Sequence, residues 1–135
     1  MAANFVLKLK YDVSDLLEIM KILRSPEGCP WDREQTHESI KKSLIEETYE
    51  VVEAINKNDK ELMTEELGDV LLQVVFHSQI GAENGEFDFS DVCDGICKKL
   101  IERHPHVFGD ISVKDSGEVM ENWEQLKSRT KHRKT

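Results

Sequence analysis

Apolar residues recur at helical spacing over most of the chain, and this pattern sets the expected elements. Leu16, Leu17, Met20 and Leu23 form a stripe that predicts a first helix over about 15–24, with Ser14 as its N-cap. Pro26, Gly28 and Pro30 break it. The loop SPEGCPWDREQT (25–36) sets Trp31 beside Asp32, and Asp32 with Gln35 reads as a capping box. A second helix is expected over about 37–56, with Leu44, Val51 and Ile55 as its main apolar line and Ile45 and Val52 alongside. Asn58-Asp59 makes a turn, and Asp59 can cap a third helix over about 60–82. The second half of that helix, VLLQVVFHSQI (70–80), is apolar on nearly every side. Such a helix is buried all round, and a chain of 135 residues can hardly cover it alone. The pattern therefore predicts a helix-bundle dimer with the third helix near the two-fold axis.

Gly85 ends this region. Ser90 caps a fourth helix, about 91–103, which Pro105 stops, and Asp115 with Glu118 suggests a capping box opening a last helix over about 116–128. Residues 1–12, where Phe5, Leu7, Leu9 and Tyr11 alternate, and 107–113 are the only stretches with strand-like quality. The expected fold is all-α. One domain spans 14–128, preceded by an arm over 1–13 and followed by a basic tail over 129–135.

Charge changes the picture more than overall composition does. The net charge is −9, and residues 46–69 alone carry nine acids against Lys57 and Lys60. A concentrated acidic region repels nucleic-acid backbone and attracts divalent cations. A nucleic-acid module is therefore excluded. No run of 18 apolar residues exists, so no membrane-spanning helix is expected. The N-terminal stretch lacks a signal-peptide pattern, and a cytoplasmic protein is expected. Cys29, Cys93 and Cys97 cannot all pair within one chain, and the i,i+4 pair Cys93/Cys97 reads as small semi-buried thiols.

Two acidic pieces carry the candidate chemistry: Glu46-Glu47-Thr48-Tyr49-Glu50 on the second helix and Glu66-Leu67-Gly68-Asp69 on the third. Residues three apart share a helix face about 5–6 Å apart, so Glu47 with Glu50, and Glu66 with Asp69, can each hold one cation. The turn near Asn58 sets the two pairs at the same height on antiparallel helices. Both pairs border apolar surface, where four carboxylates repel one another and their pKa values rise. No basic partner shares those faces. A hard divalent cation resolves the conflict. Oxygen ligands suit Mg²⁺ or Mn²⁺, with substrate phosphates completing the shell. Glu46 either orients a water or only solvates the helix. Gly68 suits close approach of a helix or phosphate, or is a tolerated packing glycine. His77 reads as a hydrogen-bonded core residue. Glu34-x-x-His37 has di-iron spacing but straddles a helix start, and the core pairs lack histidine, which excludes that chemistry.

These residues resemble the MazG family of nucleoside triphosphate pyrophosphohydrolases. The resemblance runs from about Leu16 to Lys127 and rests on CPWDREQTHESI (29–40), LIEETYEVVEAI (44–55), EELGDVLLQVVFHSQI (65–80), KLIERHPHVFGD (99–110) and Trp123 with Lys127. The spacing E-E-x-x-E, fifteen residues, E-x-x-D marks the wider all-α NTP pyrophosphatase superfamily. The CPWD and RHPHVFGD strings are narrower and point to MazG.

The resemblance implies an all-α homodimer with a four-helix core and Mg²⁺-dependent hydrolysis between the α- and β-phosphates. It puts Glu47, Glu50, Glu66 and Asp69 on metal-ligand positions. It puts Lys99 and Arg103 on the triphosphate, and Trp123 and Lys127 near the nucleotide. Two rival readings stay open: a narrow dUTP or dCTP pyrophosphatase, and a non-catalytic metal-binding helical dimer.

Overall fold

The computed structural model describes residues 4–130, apart from the side chain of Thr130. It contains helices α1 (Val13–Leu23), α2 (Pro30–Glu34), α3 (His37–Asn56), α4 (Lys60–Glu83), α5 (Phe89–Arg103), α6 (Pro105–Phe108) and α7 (Ser116–Thr130). No strand occurs among the described residues, including the described parts of the two strand-like stretches. The all-α expectation holds. The chain divides into two compact units, Met1–Phe89 and Ser90–Thr135, where the sequence suggests one domain over 14–128. The expected basic tail lies outside the described residues from position 131 onward.

In the first unit, α3 and α4 form a long pair and α1 packs on α4. The core is small: Met20, Ile40, Val75, Phe76 and Ile80, with Leu16, Leu17, Leu72 and Phe89 packed against it. The connection between α3 and α4 follows from three residues. Asn58 takes a left-handed conformation (φ 53°), which asparagine tolerates better than most residues. Asp59 N–H donates to Ala54 O at 3.1 Å and Asn58 N–H to Ile55 O at 3.0 Å, which closes a Schellman motif. Asp59 then caps α4 by accepting from Leu62 N–H at 3.0 Å. One short turn thus ends one helix, starts the next and sets them antiparallel.

The same motif ends α4. Gly85 has φ 70°, and Glu86 N–H donates to Gly81 O at 2.9 Å. This fixes where the chain leaves the helix.

Two N-caps differ from the sequence expectation. The α1 cap is Asp12, in a reciprocal capping box with Asp15 (3.0 and 2.8 Å), and Ser14 lies inside the helix. A carboxylate two residues upstream pairs with an acidic N3 residue, an arrangement that a Ser14 cap cannot match. The capping box before α3 is Thr36 with Ser39, not Asp32 with Gln35. Asp32 instead sits within the short α2, whose start is set by Pro30. In the N-terminal arm, Phe5 stacks on Tyr11 at 6.1 Å and Lys8 pairs with Asp15 at 2.6 Å, while Leu7 and Leu9 face solvent.

Arg24, the C-cap of α1, ties this unit together. Its Nε and Nη2 bind Glu83 at the end of α4 (2.9 and 2.8 Å). Its Nη1 donates to Asp32 O and Gln35 O (2.6 and 3.0 Å), carbonyls at the end of α2. The guanidinium lies over the Phe76 ring at 5.8 Å. One side chain therefore joins α1, α2 and α4.

In the second unit, α7 opens as expected, with Asp115 accepting from Glu118 N–H at 3.0 Å. The Glu118 carboxylate reaches Lys114 N–H, one residue earlier than a capping box requires. The fourth helix begins at Phe89, so Ser90 lies inside it and is not its cap. Pro105 ends α5 by opening α6, because proline fits a first helical position better than an interior one.

Candidate functional site

The α3–α4 pairing brings Glu47, Glu66 and Asp69 together. One carboxylate oxygen from each lies within 4.8 Å of the others, and all three side chains are half-buried. Among the described residues, none of the three has a cation in ion-pairing range. The two helices contribute through the one-turn spacing of Glu66 and Asp69 on α4 and the facing position of Glu47 on α3.

The electrostatics show crowding. Burial raises the Glu47 carboxyl above its ordinary value, and the charges of Asp69 and Glu50 add to the shift; a hydrogen bond with Glu66 partly opposes it. Burial is also the largest cause for the raised Glu66 carboxyl, followed by Asp69, Glu50 and Glu47. Glu50 is exposed and stands outside the three-oxygen cluster, though its charge acts on two of the members. Glu46 is exposed and points to Lys42, 4.0 Å away on its own helix.

The donor set fits a hard divalent cation. It offers oxygen only, it is partly desolvated, and no cation among the described residues neutralises it. Such a cation would offset the burial, and the repulsion that adds to it, by which both glutamates are raised.

Gly68 lies between two of these carboxylates, and a Cβ built on it meets nothing within 4 Å. Among the described residues no other part of the chain comes within 4 Å of that position. Gly68→Ala is therefore expected to stabilise the protein by up to about 1 kcal/mol, the helix-propensity difference, in a thermal melt. If turnover falls while stability rises, a ligand comes close to this backbone. If stability rises and turnover is unchanged, it is a tolerated glycine.

The four remaining sequence candidates belong to the second unit. Lys99 and Arg103 are one turn apart on α5, with Lys99 exposed and Arg103 buried. Arg103 lies over the Trp123 ring at 5.4 Å, and His104 meets that ring edge-on at 5.0 Å. The structure thus brings Arg103 and Trp123 together, a contact the sequence did not suggest. Lys127 is exposed one turn further along α7.

His77 is hydrogen-bonded, as expected. Its partner is His37, which the sequence places at a helix start, in a Glu34-x-x-His37 spacing, without linking it to His77. The antiparallel turn held the missing signal, because its register sets position 37 opposite position 77. Arg24 had no signal in the sequence, since its partners lie 8, 11 and 59 residues away.

Comparison with known proteins adds independent findings. The family model for the MazG nucleotide pyrophosphohydrolase domain matches residues 35–108. The chain is 55% identical over 120 residues to a nucleoside triphosphate pyrophosphohydrolase/pyrophosphatase MazG of Thermotoga maritima, covering 89% of this chain and 46% of that protein. It is 50% identical over 123 residues to a nucleoside triphosphate pyrophosphohydrolase of Escherichia coli K12, covering 90% of this chain and 47% of that protein. An uncharacterized protein of Bacillus subtilis, YabN, is 50% identical over 124 residues, which cover 92% of this chain and 25% of that protein. The chain thus spans a quarter to about half the length of these curated relatives. The crystal structure of a mazG-related protein from Thermotoga maritima matches with a TM-score of 0.70 at 28% identity, covering 86% of this chain and 99% of that one.

Proposed function

This chain belongs to the MazG nucleotide pyrophosphohydrolase domain family, and we propose that it hydrolyses nucleoside triphosphates to monophosphate and pyrophosphate at the carboxylate cluster of α3 and α4. The observation that carries the reading is the convergence of Glu47, Glu66 and Asp69 within 4.8 Å, with no cation among the described residues in ion-pairing range of them. Names of relatives such as the Escherichia coli and Thermotoga maritima pyrophosphohydrolases support the reaction class.

Glu47, Glu66 and Asp69 hold Mg²⁺, and Glu50 joins them from the exposed edge; Mn²⁺ suits the same oxygen set. When bound, the metal supplies a Lewis acid for phosphate oxygens and a means of activating water. Glu46 solvates the helix, consistent with its exposure and its pairing to Lys42. Lys99 and Arg103 offset the charge of the leaving pyrophosphate. Trp123, with Arg103 on its ring, and Lys127 receive the nucleotide. A ring face reads the π-surface of a base and not its edge, so broad NTP and dNTP acceptance follows, suited to cleaning the nucleotide pool.

The functional unit is a homodimer. Exposed apolar rows support this: Ile45, Tyr49 and Val52 on α3, and Leu67 and Leu71 on α4, flank the carboxylates. A four-helix core would form when two such pairs meet. Among the described residues no helix is long and apolar enough to cross a membrane. The three free thiols suit a reducing compartment, and we assign the protein to the cytoplasm.

The test is incubation with Mg²⁺ and each NTP and dNTP, product chromatography, and the mass in solution. Monophosphate and pyrophosphate from a particle about twice the 15.6 kDa chain are expected. Diphosphate with orthophosphate would sink the cleavage position. Metal binding without turnover would favour a binding domain, and turnover of only dUTP or dCTP would remove the broad specificity.

A further inference from the structure

At the end of the α3–α4 pair away from the Asn58 turn, three side chains form a hydrogen-bonded line. Glu86 Oε1 lies 3.0 Å from His37 Nε2, and His37 Nδ1 lies 2.9 Å from His77 Nδ1. The two imidazoles are nearly parallel, at 8° with centroids 5.1 Å apart, and Phe87 stacks on His37 at 6.0 Å. Backbone motifs deliver all three groups. His37 is the first residue of α3 after its Thr36 cap, Glu86 is held by the turn that closes α4, and His77 lies within α4. Gly81 leaves the room Phe87 needs, since a Cβ there would stand 2.9 Å from the ring.

The carboxylate sets the direction of the line. A carboxylate only accepts, so His37 donates from Nε2–H and its Nδ1 is a bare acceptor. His77 therefore donates from Nδ1–H. Its Nε2 is then unprotonated, at a position that is buried and has no hydrogen-bond partner among the described residues. A further proton has no good place. On His37 Nδ1 it faces the His77 Nδ1–H, and the alternative leaves an N–H buried at His77 Nε2 without an acceptor.

We propose that Glu86, His37 and His77 form a single-proton latch, in which they act as positioning residues that hold α3 against α4 at neutral pH and release the first turns of α3 when the imidazole pair takes up a further proton. The latch sets the same register that aligns the carboxylates. His37 precedes Glu47 by ten residues and His77 follows Asp69 by eight, about 15 and 12 Å along the two helices. A slip at one end would be carried to the other.

Burial, and then the charge of His37, hold the His77 ring below its ordinary value. Other charged groups nearby are engaged with one another. From α1, Arg24 is bound to Glu83 of α4. On α3, Glu38 pairs with Lys41. Asp88 follows in the loop and has interactions of its own. The sign follows from the lowered ring: the latch is complete above the ordinary value of 6.5 and is lost as pH falls below it.

The test needs no turnover, so it stands apart from the carboxylate chemistry. Imidazole ¹⁵N NMR of the full chain from about pH 8 to about pH 5 reads tautomers and titration across the range where histidines change charge. Amide exchange of residues 38–44, corrected for its intrinsic pH dependence, reads release. His77 is expected to carry its proton on Nδ1 and His37 on Nε2. Protection should fall about tenfold per pH unit below the titration of the pair. His77→Phe keeps a ring but removes the bond, and should show low, pH-independent protection.

The half-exposed Glu86→Gln is the milder variant should His77→Phe not fold. It should free the tautomers, so that His77 no longer carries its proton on Nδ1 alone, because a carboxamide can donate as well as accept. A proton on His77 Nε2 at neutral pH, protection indifferent to pH, or two rings titrating independently would each overturn the latch.

Discussion

Replacing Asp69 by Asn is expected to lower Mg²⁺-dependent turnover by at least about 100-fold, beyond the range for residues that merely support a metal ligand. The same change is expected to raise the melting temperature of the metal-free protein. Both effects have one origin. Asp69 is the largest charge acting on Glu47 and on Glu66, and both carboxyls are raised above 4.5, chiefly by burial. A raised carboxyl favours the fold while it is protonated. That contribution is complete below the unfolded value of about 4.5 and is lost as pH rises through the raised folded values.

Thermal melts of the metal-free wild type should therefore show stability falling as pH climbs past this range. Saturating Mg²⁺ should flatten the slope, because it binds the ionised form. In Asp69→Asn the slope should be shallower without metal. A variant that loses turnover but gains no stability would show that the acids do not strain the apo fold. Retained turnover would remove Asp69 from the site.

Arg24→Ala is expected to destabilise the protein by about 3 kcal/mol, within the range for losing charged hydrogen bonds at a largely buried site. The Arg24 side chain is 8% exposed while Glu83 is 34% exposed, so the carboxylate left behind can take up water and moderates the loss. The two carbonyls at the end of α2 lose their donor as well. Arg24→Lys should recover only part of the loss, because an ammonium cannot serve Glu83 and both carbonyls with a planar fork. Arg24 holds the Glu83 carboxyl below its ordinary value, so the pair's contribution is present above about 4.5 and lost in acid. The difference between wild type and Arg24→Ala in urea melts should narrow as pH falls below that value. A constant difference would assign the role of Arg24 to its packing on Phe76 and its bonds to the two α2 carbonyls, without the ion pair.

Local information in the sequence was enough for much of this protein. The periodicity from Leu16 to Ile80 sets three long helices, and all three occur close to their expected bounds. Asn58-Asp59 reads directly as a turn and cap because its hydrogen bonds reach only five residues along the chain. The carboxylate pairs were legible for the same reason. One-turn spacing is local, and a single tight turn converts it into a facing arrangement. The shortfalls are also physical. Asp12 and Thr36 won the caps over Ser14 and Asp32, because cap choice among neighbouring acceptors depends on which partner sits at the third helical position.

What only the tertiary structure decided depends on contacts across long sequence separations. Three carboxylates converge closely, and Glu50 stands at the edge, because helix rotation within the pair selects which acids turn inward. Arg24 finds Glu83 across 59 residues, and His37 finds His77 across 40. Sequence patterns show that such side chains are polar and where they lie on a helix. Which of them meet is set by how the helices pack, since hydrogen bonds require atoms within about 3 Å and no periodicity encodes that distance.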